Sequence, residues 1–128
     1  MYITLQTDYA IRIVDCLSKS KDIKCAQEIS EEACVPLRFA KNILQLLTAK
    51  GIIASQKGMY GGYKLARVPE CISLYDVFMA TGEPTIMNRC LKTEYECNCS
   101  PDKQCVYYDA FMKISTGVEN KLRDTKFS

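Results

Sequence analysis

Apolar residues recur with a helical period through the first fifty positions. Tyr9, Ile13 and Leu17 fall at every fourth position with Ala10 and Val14 beside them, a stripe that predicts a helix from about Thr7 to Ser18. The polar run Ser18-Lys-Ser-Lys-Asp22 ends it. Ala26, Ile29 and Ala33 then mark one side of a second helix over Cys25–Ala33, about two turns long and too short to form without packing. Pro36 is placed to open a third helix over Pro36–Lys50, because a first helical residue has no intrahelical use for its N–H. The core stripe of that helix is Leu37, Ala40, Ile43, Leu44 and Leu47; Arg38, Lys41, Asn42 and Gln45 form its other face. Gly51 stands where a left-handed cap is expected. Two short helices in succession, the second carrying a basic face, make a helix-turn-helix pattern.

After Gly51 the period changes. Ile52–Lys57 and Tyr63–Arg67 read as two strands bracketing Gly58-Met-Tyr-Gly-Gly62, whose glycines permit a tight hairpin tip. A hairpin directly after a basic helix is the wing of a winged helix. Ser73-Leu-Tyr-Asp76 resembles a capping box with Asp in place of Glu, opening a helix to about Thr81 that Gly82 and Pro84 close. The chain is then irregular to Gln104. Val106, Ala110, Ile114, Val118 and Leu122, with Tyr107 and Phe111 alongside, predict a long amphipathic helix from Val106 to about Lys126. About 20 residues span roughly 30 Å, more than a small winged-helix core needs, so the stripe is expected to pack against a second copy of itself. Gly117 inside it costs about 1 kcal/mol and argues against one straight helix. The expected fold is therefore mainly α with a small β-hairpin wing. It divides into a winged helix-turn-helix DNA-binding domain (1–83), a cysteine-rich loop (84–105) and a dimerisation helix (106–128).

Composition narrows the chemistry. The 128 residues contain no histidine and eight cysteines, so imidazole bases, Ser-His or Cys-His pairs and His-ligated metals are all excluded. The N-terminal residues show neither a basic stretch nor an apolar run of a leader, and no uncharged stretch approaches a bilayer span. A cytoplasmic protein with reduced or metal-bound thiols is expected. The net charge of +2 conceals a division: from Ala33 to Pro69 there is no acidic residue, but Arg38, Lys41, Lys50, Lys57, Lys64 and Arg67 are all present. Such a surface suits a polyanion, or else it is a solvated face whose acids lie elsewhere.

The cysteines fall into two groups. Cys16, Cys25, Cys34 and Cys71 are scattered on or beside apolar stripes and read as small packing residues. Cys90, Cys97, Cys99 and Cys105 crowd into one polar loop that has little apolar content to bury sulfur. An iron-sulfur cluster, a tetrahedral zinc and a reversible disulfide are the three candidates. The gaps of six, one and five residues do not form the paired knuckles of structural zinc sites. Three thiolates on one cluster, with one cysteine spare, fit better. An enzyme such as a thiol oxidoreductase is not expected, because there is no C-x2-C motif and the basic hairpin would go unexplained.

Several segments together resemble the IscR/NsrR/CymR (Rrf) family of bacterial winged helix-turn-helix transcriptional regulators, over almost the whole chain. They are Leu5-Gln-Thr-Asp-Tyr-Ala-Ile-Arg12, Gly51-Ile-Ile, Lys57-Gly-Met-Tyr-Gly-Gly-Tyr-Lys-Leu65, Asp76-Val77, Thr81-Gly82-Glu83 and the late cysteine loop feeding a long helix. The resemblance implies a repressor acting as a homodimer on a near-palindromic DNA operator. It also implies a [2Fe-2S] or [4Fe-4S] cluster held by three cysteines and a fourth ligand of another type, sensing redox state, nitric oxide or iron-sulfur status. Cys99 and Cys105 match the family's last two cysteines; Cys90 is the better separated choice for the first, with Cys97 the alternative. The cluster-assembly branch takes a histidine as fourth ligand, which this chain lacks; Tyr108 stands three residues after Cys105. Asp8 of the partner subunit matches the fourth ligand of the nitric-oxide sensors, with Cys97, a solvent thiol or an exchangeable small molecule as the alternatives.

By the same resemblance Arg38, Lys41 and Asn42 enter the major groove, where Arg or Lys pairs with guanine and Asn with adenine. Phe39 meets a thymine methyl or packs. Lys57 and Tyr60 approach the minor groove or phosphates. The alternative within the family is a cluster-free regulator of cysteine or sulfur metabolism that responds to thiol oxidation or a protein partner.

Overall fold

The computed structural model describes residues 3–84, residue 91 and residues 105–128. Helix α1 (Leu5–Ser18) begins at Thr4, whose hydroxyl accepts the Thr7 N–H. Helix α2 (Ala26–Ala33) begins at Cys25, where the Glu28 carboxylate takes the Cys25 N–H, and ends at Cys34 in the left-handed region with φ 56°. Helix α3 (Leu37–Ala49) follows after Val35 and Pro36. Pro36 sits just outside the helix, with extended ψ of 136°, rather than inside it as expected. Its fixed φ still prepares the entry. Leu37, read as core, is only half-buried; Ala40, Ile43, Leu44 and Leu47 are buried as predicted.

The wing consists of β1 (Ile53–Gln56) and β2 (Gly62–Leu65), antiparallel, with Ile53 opposite Leu65 and Gln56 opposite Gly62. These strands are shorter than the sequence suggested, leaving Lys57 and Arg67 outside them. Lys24, from the connection between α1 and α2, adds a bridge to the outer side of β2: the Tyr63 N–H donates to its carbonyl at 2.7 Å and its own N–H donates back at 3.1 Å. Gly62 is required here, because a Cβ on it would lie 2.4 Å from the Lys24 carbonyl oxygen.

A 3-10 turn (Pro69–Cys71) leads to α4 (Leu74–Thr81), and the capping box expected from sequence is present. Asp76 N–H donates to the Ser73 hydroxyl at 3.2 Å and Ser73 N–H to the Asp76 carboxylate at 2.9 Å. Gly82 closes the helix with φ 74°. Ala10, Ile13, Val14 and Leu17 of α1, Ile29 of α2, Ala40, Ile43, Leu44 and Leu47 of α3, Ile52, Ile53, Ile72, Val77 and Ala80 form one core.

Helix α5 (Val106–Asp124) runs unbroken through Gly117, against the interruption that residue suggested. It packs on α4 and ends where Thr125 turns extended and its carbonyl accepts the Leu74 N–H at 2.9 Å. Phe127 then bonds to the Ile72 carbonyl and packs on the core. Arg123 lies 3.9 Å over the Tyr75 ring and pairs with Glu119. Much of the α5 apolar stripe is uncovered: Val106 is 72% exposed, Tyr107 70% and Ile114 45%.

The four scattered cysteines are not the buried packing residues expected. Cys16 and Cys25 are half-buried, and Cys34 and Cys71 are exposed. Each stands at the edge of its apolar stripe or at a helix end. The Cys16 thiol donates to Glu32 at 3.4 Å, and burial together with that carboxylate pushes its pKa up to about 11. The thiol, not the thiolate, is therefore favoured at neutral pH.

Candidate nucleic-acid interface and cysteine segment

Helix α3 presents its polar face because its other side is committed to the core. Arg38, Lys41 and Asn42 are all exposed, on positions three and four apart. Phe39, one position round, leans back toward α1, its ring centre 5.9 Å from that of Tyr9 at 59° between planes. Guanidinium groups flank both rings: Arg38 lies 5.9 Å from the Phe39 centre and Arg12 5.6 Å from the Tyr9 centre. Arg12 in turn pairs with Asp8 at 3.0 Å. The candidate cluster ligand and the candidate base reader therefore stand at opposite ends of one row of neighbouring side chains. Sequence reading named Asp8, Arg38 and Phe39 but missed Tyr9 and Arg12 as their neighbours, since Tyr9 counted only as part of an apolar stripe.

Charge accumulates on α3 and the wing. Arg12, Lys19, Lys24, Arg67 and Arg123 engage carboxylates. Among the described residues no ion pair engages Arg38, Lys41, Lys50, Lys57 or Lys64. Lys57 and Tyr60 are exposed on the wing loop. The first strand of the wing follows directly on α3, where the Ile52 N–H returns to the Leu47 carbonyl at 3.1 Å.

A second centre lies where α1 begins and α4 ends. The Glu83 carboxylate, 8% exposed, accepts the Thr7 hydroxyl at 2.6 Å, the Thr4 hydroxyl at 2.9 Å and the Thr4 N–H at 3.1 Å. The Thr7 and Thr81 hydroxyls meet at 2.7 Å, and Thr81 also donates to carbonyls of its own helix. Burial alone pushes the Glu83 pKa up, but the Thr7 and Thr4 hydrogen bonds to the ionised form outweigh it and hold it below the ordinary glutamate value. From the sequence, Thr81-Gly82-Glu83 was only part of a resemblance.

Of the candidate cluster ligands, Cys90 and Cys99, together with the alternative Cys97, lie outside the described residues. Cys105 is half-buried at the start of α5, where the helix dipole favours negative ligand charge. Asp8 is partly exposed, and its exposed i,i+4 pair with Arg12 belongs to a class worth only about 0.3–0.5 kcal/mol. Both donors are accessible and of the chemistry such a cluster takes. Among the described residues no group of three or more His, Cys, Asp or Glu is gathered to hold a metal ion.

Helix-turn-helix α2–α3 followed by a hairpin is the winged-helix class of DNA-binding fold. The chain belongs to the Rrf2 family, described as iron-dependent transcriptional regulators, whose profile matches residues 3–128. Protein aau3 of Rhizobium meliloti is 32% identical over 99 residues, 76% of this chain and 64% of its own length. The HTH-type transcriptional regulator IscR of Erwinia tasmaniensis is 24% identical over 97 residues, 76% of this chain and 57% of its own. The chain thus matches somewhat less than two-thirds of either relative. Among solved structures, CymR, the global cysteine regulator of B. subtilis, superposes with TM-score 0.77 at 21% identity, covering 99% of this chain and 93% of that one. T. potens IscR gives 0.75 at 18%, covering 99% and 83%. These two structures speak for the fold. Among the described residues no helix is long and apolar enough to cross a membrane.

Proposed function

We propose that this Rrf2-family regulator is a cytoplasmic, homodimeric repressor that reads a near-palindromic operator with α3 and the wing. Its DNA binding is governed by an iron-sulfur cluster on Cys90, Cys99, Cys105 and Asp8 of the partner subunit. The observation that carries the DNA reading is the set of exposed cations on α3 and the wing that no described carboxylate engages, in a segment free of acids from Ala33 to Pro69. Arg38, Lys41 and Asn42 serve base edges and Lys57 and Tyr60 serve the backbone or minor groove. Phe39, already against Tyr9, holds Arg38 at the groove or meets a thymine methyl. The uncovered stripe of α5 supplies the dimer contact, dividing the chain into DNA-binding residues 1–83, sensing residues 84–105 and dimerisation residues 106–128.

A bound cluster would supply a redox- and nitric-oxide-sensitive cross-link between the cysteine segment and α1 of the partner. Cys105 ties that segment to the start of α5, and Glu83 ties its other end to Thr4 and Thr7 at the start of α1. A change in the segment thereby reaches the angle between the two recognition helices. The signal acts only through different stability of the cluster in the two arrangements.

The test is enrichment of duplexes from a random library by the anaerobic full chain, followed by binding to the enriched duplex before and after nitric oxide. An inverted-repeat site whose binding changes on treatment supports the reading. Binding that ignores nitric oxide but responds to a thiol oxidant gives the cluster-free alternative, and no enriched site contradicts both.

A further inference from the structure

The tip of the wing is chemically unlike an ordinary turn. The Gly61 N–H donates to the Gly58 carbonyl at 3.0 Å, closing a four-residue β-turn with Met59 and Tyr60 at its two central positions. Such positions normally hold Gly, Pro, Asn, Asp or Ser. Met59 is 90% exposed and Tyr60 86%, more than the other exposed large apolar side chains described. The turn itself is fixed. Gly58 takes φ 113°, and a Cβ on Gly61 would lie 2.3 Å from the Gln56 carbonyl oxygen. Behind it, the Lys24 bridge pairs a third segment of chain with the short hairpin. The sequence thus spends three glycines on a tight tip and places on it two large side chains that contribute nothing to the core.

Charge beside the tip defines what it meets. Lys57 and Lys64 lie close by in sequence, and no acid occurs between Ala33 and Pro69, so the tip is set for a polyanion. Lysines alone would serve phosphates. An unbranched, adaptable methionine beside an aromatic ring instead suits the apolar gap between two base pairs.

Resting on the DNA-binding reading above, we infer that Met59, backed by Tyr60, is an apolar wedge that enters the minor groove and partly unstacks one base step in each half-site. The wing then reads deformability: pyrimidine–purine steps open most easily, so they are preferred at the position beneath the tip. This specificity comes without base hydrogen bonds and is separate from that of α3.

The experiment uses the full chain and an end-to-end series of duplexes of about 30 base pairs, carrying the library-enriched site with one adenine at a time replaced by 2-aminopurine. Unstacking brightens this base. The expected result is a several-fold rise at one step per half-site, lost in Met59→Ala and retained in Met59→Leu at saturating protein. Lys57→Ala weakens binding but leaves the rise intact at saturation. Absence of a rise with the unaltered protein, or a rise that Met59→Ala leaves intact, overturns the wedge while the DNA-binding reading stands. Failure of the unaltered protein to enrich any duplex overturns both.

Discussion

The Thr7 hydroxyl donates to the Glu83 carboxylate at 2.6 Å, joining residues 76 positions apart at the start of α1 and just beyond the end of α4. Thr7 is fully buried and Glu83 nearly so. A charge this far from water is tolerated because three donors converge on one oxygen.

Replacing Thr7 by Val keeps the shape and removes the donor. Leaving a buried carboxylate short of one partner costs about 1–3 kcal/mol, to be read as a lowered urea midpoint. The pH dependence follows from the lowered Glu83 pKa. A carboxyl depressed on folding stabilises above its unfolded value and loses that contribution as pH falls through the folded one. Wild type should lose stability on the acid side of the ordinary glutamate range. Thr7→Val, with less depression, should show a smaller loss across that window. Equal acid slopes in the two proteins would contradict this.

Asn42→Ala and Lys57→Ala should fail in different ways. Loss of a base-reading side chain costs about 1–3 kcal/mol on the operator and little on random DNA, so the specificity ratio falls. Loss of a phosphate contact weakens both and lowers the salt slope by about one. Equal losses on both DNAs for Asn42→Ala would remove it from the base-reading set.

Gly62→Ala tests the wing as a built element. Its Cβ would meet the Lys24 carbonyl at 2.4 Å, so the bridge to β2 must open. Far-UV dichroism should keep its helical signal while DNA affinity drops. Unchanged affinity would show the wing to be dispensable.

Ile114→Glu places a charge in the uncovered stripe of α5. Ile114 is 45% exposed in the single chain, so the fold should survive. Sedimentation should show dimers for the unaltered protein and monomers for Ile114→Glu, with operator affinity expected to fall together with the dimer. A dimeric Ile114→Glu protein would place the subunit contact elsewhere.

The helices were legible because each carries a stripe of one period, and Ser73 with Asp76 announced the start of α4 by side-chain chemistry alone. The wing was legible from its glycines, although not the Lys24 bridge, which joins residues 39 apart by backbone atoms that carry no sequence signature. Family membership was readable for the same reason: its motifs are local. What was hidden depends on distant segments meeting. Glu83 gives no sign of burial until Thr4, Thr7 and Thr81 surround it, and Phe39 shows its neighbour only when α1 lies across α3. Cys16 and Cys25 looked like core because they adjoin apolar stripes, yet the α1 stripe is narrower than the helix and leaves Cys16 at its margin, while Cys25 caps α2 from outside. Of the proposed ligand cysteines, only Cys105 falls among the described residues.

The proposed function stands on thiolates of the late segment holding an iron-sulfur cluster. Iron and acid-labile sulfide counted per chain after anaerobic purification test it most directly, with Cys105→Ala and Cys97→Ala prepared alongside. Near-equal iron and sulfide are expected in the unaltered protein and in Cys97→Ala, and neither in Cys105→Ala. An unaltered protein that binds its operator while carrying no iron or sulfide would contradict it.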